Sequence, residues 1–493
     1  MLFATAVAGS AEMRNAPSNA AASPRRISTW LLAITLLGLV LRVIALGHRS
    51  FWLDEIASVV IAGLPRDAFW HHVWTSEGNM ALYYVLLRPW LHLGVGETAV
   101  RLLSVIPGAL SIPALYALGN RLFGETTGLL ASLLLAVNAC AVTTSQEARG
   151  YSLLILGVIG STYLFVRLVE GPDYSRAVAY GIAAGLTCYC HYFGLLVPAA
   201  QAISLAFLPR ERRPWRQLLA AFSVLALLAA PVLWMIHTQD VGHLAWVSPP
   251  SLLELYRLGA YLSAGTGKVI GGILLAVDLV VLALFLRRFR GAGNQRQPMT
   301  LWCNTLVASL LVSPILIALA ASVVHPVFHH RFLVIGLPAW VLMLAAGVRT
   351  IQTTSRRVAV IAIIAALSLG SVISSYGRVK EDWRGVARYL LRETTPQDAV
   401  LYYQADGAFA AESYRTMLQG ATGARPQAVI VGSANNWERQ LNYPFRIWLV
   451  LYRAKPDEAV PQAVVQRLRE DGFAEEHRRS FRAVTVIDYR AGR

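Results

Sequence analysis

The sequence predicts an all-α polytopic membrane bundle of about eleven transmembrane helices, with interfacial helices in the first outer loop and a small C-terminal α/β extracytoplasmic domain. Three observations predict it. Of 493 residues, 56% are hydrophobic and only 15% charged, with a mean hydropathy of +0.49, too apolar for a soluble chain that must keep a charged surface. Apolar runs long enough to cross about 30 Å of hydrocarbon at 1.5 Å per helical residue recur as far as residue 375. After Tyr376 the composition changes to mixed polar and apolar residues.

Taken in order, residues 1–26 form a Ser/Ala-rich stretch that ends in Arg25 and Arg26 and reads as a disordered cytoplasmic tail. The apolar run behind it is too long for a signal-peptide core and lacks a cleavage site, so it reads as an uncleaved first span. The transmembrane domain covers 27–375, with spans near 29–47, 99–119, 128–144, 151–169, 177–190, 191–208, 217–236, 268–286, 301–322, 332–348 and 357–375. The first outer loop, 48–98, is rich in Trp, Phe, Leu and Tyr, which favours helices lying on the membrane over a solvated loop. In the domain at 376–493, strands are expected at 399–403, 428–431, 446–452 and 484–489, alternating with helices such as 383–392 and 459–469.

The net charge of +16 sits in short arginine clusters between apolar runs, a pattern suited to anionic lipid headgroups and not to nucleic acid. Arg25 and Arg26, Arg121, Arg167 and Arg176, the groups 210–216 and 287–296, and Arg349 to Arg357 fall on alternate connections. The positive-inside rule makes these cytoplasmic and the opposite connections extracytoplasmic, which locates the chain in the inner (plasma) membrane with its C-terminal domain outside. All four cysteines lie in apolar segments, none at metal-site spacing.

The strongest local signal is Ser50-Phe51-Trp52-Leu53-Asp54-Glu55-Ile56-Ala57-Ser58, directly after the first span on its outer side. Two adjacent carboxylates stand where the membrane surface begins, above an apolar stripe of Ile56, Val59 and Val60. A bare Asp-Glu pair also suits the N-terminal end of an interfacial helix.

Trp52-Leu53-Asp54-Glu55 after a first span resembles the first outer loop of the GT-C glycosyltransferases, in the bacterial branch similar to protein O-mannosyltransferases and the lipid A aminoarabinose transferase. Ser145-Gln146-Glu147-Ala148-Arg149-Gly150-Tyr151 resembles the second outer loop of that family, His191-Tyr192-Phe193-Gly194 its next outward turn, and His330-Arg331-Phe332 the opening of a late span. Glu381-Asp382-Trp383-Arg384-Gly385-Val386-Ala387 matches the segment after the last span. Where many relatives have a His-Pro-Pro-Leu-Tyr-like stretch, this chain has Gly78-Asn79-Met80-Ala81-Leu82-Tyr83-Tyr84.

The resemblance implies a transferase that moves a monosaccharide from a polyprenyl-phosphate donor to an extracytoplasmic hydroxyl, on a glycolipid, a polysaccharide or a protein. It makes Asp54 the general base, with Glu55 beside it. One carboxylate suffices, because a lipid phosphate leaves as a stable anion whereas a glycosidase must protonate an alkoxide. The phosphate calls for guanidinium groups, and Arg149 and Arg331 lie at the outer mouths of spans on the side of Asp54. Glu147, Tyr151, Asn79, Tyr83, His191, Tyr192 and His330 complete the candidate substrate-binding set. No cofactor and no metal is expected; a divalent cation on His191, His329 and His330 is the alternative. The competing function is a transporter or flippase, which needs ionisable groups near the midplane; only Asp278, inside an apolar span, fits that.

Overall fold

The computed structural model describes residues 24–239, 246–265, 269–292, 298–420, 425–431, 437–441, 446–455 and 458–492. Residues 1–23 of the expected tail lie outside the described residues, and 24–26 open the first helix. Helix α1 (Pro24–Val43) leads into a long connection built of α2 (Leu53–Gly63), α3 (Arg66–Thr75) and α4 (Ala81–Trp90). The bundle continues with α5 (Glu97–Phe123), α6 (Glu125–Val137), α7 (Ala139–Ser145), α8 (Tyr151–Glu170), α9 (Tyr174–Cys190), α10 (Leu196–Ser204), α11 (Trp215–Thr238) and α12 (Leu252–Ala264). It closes with α13 (Val269–Ala292), α14 (Pro298–Ala321), α15 (Leu337–Val348) and α16 (Thr354–Tyr376).

The chain is a multi-pass membrane protein. Among the described residues six helices, α5, α8, α11, α13, α14 and α16, are long and apolar enough to cross a membrane, and α6 with α7 makes a seventh if that bent pair is one span. The remaining expected spans fall on α9 and on shorter apolar segments at 27–43, 192–207 and 332–348, so length and apolarity support six or seven crossings where eleven were expected. Helix α12 forms inside the connection read as a loop, where the Ser251 hydroxyl caps its first turn through the Glu254 amide at 3.3 Å.

The bend between α6 and α7, 58°, has an identifiable cause. Asn138 leaves the helical path: its Oδ1 accepts from the Ala141 amide at 2.9 Å, capping α7, while its Nδ2 donates to the Leu262 carbonyl at 2.9 Å. The carbonyls released at the end of α6 are taken by a cation from α1. Arg42 donates to the Ala136 and Leu135 carbonyls at 3.1 and 3.3 Å and to the Ser145 hydroxyl at 3.2 Å. A Cβ at Gly108 would stand 2.0 Å from the Ser145 oxygen, so α5 can approach this junction only at a glycine. The break thereby delivers residues 146–150 to the foot of α2.

The C-terminal domain comprises α17 (Trp383–Glu393), β1 (Ala399–Tyr403), α18 (Ala405–Gln419), β2 (Gln427–Val431), β3 (Arg446–Tyr452), α19 (Ala459–Glu470), β4 (Phe473–Phe481) and β5 (Val484–Ala491). The strand order is β2-β1-β3-β5-β4, with β1 parallel to β2 and β3, and β5 antiparallel to β3 and β4. Strand β4 was not foreseen: it is an edge strand whose charged residues, Glu475 to Arg479, are exposed, a composition that guards a sheet edge and hides strand periodicity. The domain is anchored on the segment between α1 and α2. Arg384 donates to the Gly47 carbonyl at 3.1 Å, the Arg384 amide donates to the Ser50 hydroxyl at 3.0 Å, and the Tyr414 hydroxyl accepts from the Phe51 amide at 3.2 Å.

Candidate functional site

Helix α2 begins at Leu53 and has no side-chain cap of its own, because Trp52 precedes it. Glu55 supplies part of the missing capping, reaching back to the Trp52 amide at 3.3 Å. The same carboxylate makes a two-pronged pair with Arg101, both bonds at 2.8 Å, and accepts from the Ala148 amide at 2.8 Å; Glu55 and Arg101 are 1% and 2% exposed. Glu55, expected beside Asp54 as a catalytic carboxylate, therefore has both oxygens committed in the interior. It ties 146–150 to α2 and is corrected to a structural role.

Asp54, one position earlier, points the other way and is one-third exposed. Its Oδ2 lies 3.7 Å from Arg331 Nη1, and its backbone carbonyl lies 3.4 Å from Arg149 Nη1. Arg149, Arg331, Glu147 and Tyr151 thus gather around Asp54 from two separate segments, 147–151 and 331. Arg331 donates to Glu147 at 2.8 Å and stands over the rings of Trp52 and Tyr151, at 4.7 and 5.3 Å from their centroids. Burial would raise the Glu147 pKa, but Lys380, which donates to it at 2.6 Å, and Arg331 hold it down to about 2. A depressed carboxylate contributes stability in full above its ordinary value of 4.5 and loses it only as pH falls toward 2, so this pairing is intact at neutral pH.

Arg149 differs from Arg331. It is 9% exposed, donates only to neutral groups (the Asp54 carbonyl and the Ser58 and Tyr84 hydroxyls, at 3.3 to 3.4 Å), and its buried Nε has no hydrogen-bond partner. Among the described residues no carboxylate lies within ion-pair distance of it. A buried guanidinium with no carboxylate in direct contact among the described residues, beside an accessible carboxylate, is suited to take an anion.

The other candidates form an adjoining wall. Asn79 accepts from the Tyr192 amide at 3.0 Å, and its Nδ2 is 3.3 Å from His191 Nε2; the Tyr192 hydroxyl donates to Gln239 at 2.8 Å. His191 stacks toward Tyr151 and Phe332, at 5.8 and 5.2 Å, and Phe332 continues to His329 at 5.3 Å. His330 lies 3.4 Å from Glu254, and burial pushes its pKa below the ordinary imidazole value. Tyr83 is not brought to the site: it is buried with its hydroxyl on Ser104 at 3.0 Å, and its neighbour Tyr84 is the one that reaches Arg149.

Sequence reasoning missed Lys380, whose ammonium also lies 3.7 Å from the Trp52 ring centroid. The signal was available, since lysine occurs only at 268, 380 and 455 in a chain that otherwise uses arginine. A cavity of about 870 Å³ lies in the C-terminal domain between α19 and the ends of β3 and β5, and shares no residue with the Asp54 cluster. Among the described residues the one group of three metal-capable side chains, Glu476, His477 and Asp488, is in the same domain, with Glu476 and Asp488 already paired to Arg490 and Arg446.

Comparison with known proteins agrees with this architecture. A family model described as dolichyl-phosphate-mannose-protein mannosyltransferase matches residues 81–235. The lipid A galacturonosyltransferase RgtD of Rhizobium johnstonii is 28% identical over 272 residues, 53% of this chain and 52% of that protein, so the match spans about half the length of the curated relative. Among solved structures, ArnT from Cupriavidus metallidurans bound to undecaprenyl phosphate superposes with a TM-score of 0.59 at 13% identity, over 94% of this chain and 98% of that one. The oligosaccharyltransferase AglB from Archaeoglobus fulgidus, in complex with an inhibitory peptide and a dolichol-phosphate, gives a TM-score of 0.54 at 13% identity, over 94% and 74%. Matched sequence over part of the chain and a shared fold over most of it make this chain similar to membrane glycosyltransferases.

Proposed function

We propose that the protein transfers a monosaccharide from a polyprenyl-phosphate donor to a hydroxyl of an extracytoplasmic acceptor, with inversion at the sugar carbon, at the outer face of the inner membrane. The carrying observation is the buried Arg149 guanidinium, without a carboxylate partner among the described residues and in contact with the segment that bears Asp54. The donor phosphate would take that cation, with Arg331 as a second ligand released in part from Glu147. Asp54 would accept the proton of the acceptor hydroxyl as its oxygen forms a bond to the sugar anomeric carbon; the bond from that carbon to the phosphate oxygen breaks, and polyprenyl phosphate departs as an anion. The buried aromatic cluster of Tyr151, His191 and Phe332 packs behind Arg331 and backs the site where the donor would bind. The undecaprenyl phosphate and dolichol-phosphate bound by structures of the same fold support the donor class, and the lipid A named for the curated relative favours a glycolipid acceptor.

Arg149→Ala should weaken donor binding, read as KM or Kd for a labelled polyprenyl-phosphate sugar, by roughly 10- to 100-fold, the equivalent of about 1.5–3 kcal/mol for a hydrogen bond to a charged group. Arg149→Lys should recover only part, since an ammonium cannot offer two parallel N–H bonds. Unchanged donor affinity in Arg149→Ala would remove it from the phosphate site. The reaction is also expected to need no metal, because His330 is already engaged with Glu254 and the Asp54 cluster pairs its carboxylates with arginine and lysine. Treatment with a chelator should leave turnover unchanged; a loss restored by one divalent cation would overturn that.

A further inference from the structure

The N-terminal end of α2 is capped from the far end of the chain. Glu381, five residues beyond the last helix of the bundle, is 1% exposed and saturated with donors. Its Oε2 accepts from the Leu53 amide at 2.9 Å and the Trp383 indole at 2.7 Å, and its Oε1 accepts from the Tyr452 hydroxyl at 2.8 Å and Arg453 at 2.6 Å. Leu53 is the first residue of α2, so its N–H belongs to the turn that no intrahelical carbonyl can satisfy. Asp54 is the next residue. Trp383 opens α17, Tyr452 ends β3 and Arg453 follows it, so the carboxylate joins two elements of the C-terminal domain to the backbone that carries Asp54. Lys380 works beside it, bridging Glu147 and the Trp52 ring.

We propose that Glu381 is a positioning residue for the transfer reaction: it fixes the first turn of α2, and with it the Asp54 carboxylate, against the C-terminal domain, which is thereby part of the catalytic assembly. This deepens the transferase reading and depends on it for the rate measurements alone. A negative charge at a helix N-terminus is favoured by the helix dipole, and a buried carboxylate with four donors has little freedom to move. Geometry is what such a contact supplies, since misplacement of a reacting group by about 1 Å can cost of the order of 100-fold in rate.

The test uses the full-length protein with three substitutions. In Glu381→Ala, amide hydrogen exchange in the first turn of α2 should accelerate, and kcat should fall by about 100-fold while KM for the lipid donor stays within about twofold. Glu381→Gln keeps an acceptor oxygen for the Leu53 amide and should restore most of kcat. Leu53→Pro removes the donor while leaving Glu381 in place; proline is tolerated at the first helical position and Trp52 is already extended, so the helix should form and kcat should drop by about tenfold. This variant keeps the test alive if Glu381→Ala does not fold. Full protection of the first turn in Glu381→Ala, or wild-type kcat in Leu53→Pro, would overturn the proposal. So would losses in which KM rises in step with the fall in kcat. Absence of transfer by the wild-type protein would instead reject the transferase reading, and the exchange measurement would still decide whether Glu381 holds α2.

Discussion

Asp54→Asn is expected to lower kcat by about 10²–10⁴-fold, the usual contribution of general acid–base catalysis, while donor binding and folding stay close to wild type. The side chains are nearly the same size, and the native carboxylate makes only a long contact of 3.7 Å to Arg331 on a partly exposed site. A pair of that kind contributes about 0–1 kcal/mol, too little to unfold the protein when lost. Transfer, by contrast, requires an acceptor for the hydroxyl proton, and an amide cannot take it. The donor phosphate is assigned to Arg149 and Arg331, neither of which asparagine disturbs, so KM for the donor should hold. A single-turnover assay with labelled polyprenyl-phosphate sugar, run beside a donor-binding measurement, separates the two. Full turnover by Asp54→Asn would remove this carboxylate from the chemistry.

Much of the bundle was legible in the sequence because membrane insertion demands long apolar runs, and such runs survive in composition whatever their partners. The break at Asn138 was not legible, since it depends on Arg42 reaching across from α1 to free carbonyls, a contact separated by 94 residues. The same limit applies at the site. Asp54, Glu147, Arg149, Tyr151 and Arg331 could be picked out by motif and by side of the membrane. Which member of the Asp54-Glu55 pair faces the interior is decided by Arg101, and nothing local announces that partner. Glu381 opens a motif that was recognised and Lys380 stands next to it, but their reach back to residues 52–55 and 147 follows from the docking of the C-terminal domain.

Loss of either Glu55 or Arg101 should produce the largest fall in stability. The five donors of Arg101 are all used: two go to Glu55, and the others to the carbonyls of Leu46, Arg49 and Ser50 at 2.7, 2.8 and 3.0 Å. Glu55→Ala leaves a buried guanidinium uncompensated, and Arg101→Ala leaves a buried carboxylate and three carbonyls short of donors. Each should cost about 3–5 kcal/mol, the usual penalty for breaking a buried pair by removing one partner. Both should be visible as a lower unfolding midpoint in detergent and a smaller folded yield. Replacing such a pair by apolar side chains of similar volume is often neutral, which would make a Glu55→Leu, Arg101→Met double substitution harmless if pairing were the whole of it. Here the three carbonyls of the turn at 46–50 and the Ala148 amide would still lose their partners, at about 1–3 kcal/mol for each group left unsatisfied, so the double variant should recover only part of the loss. Complete recovery would mean that Arg101 serves Glu55 alone. An unfolding midpoint unchanged in Glu55→Ala, with turnover abolished, would return Glu55 to the chemistry alongside Asp54.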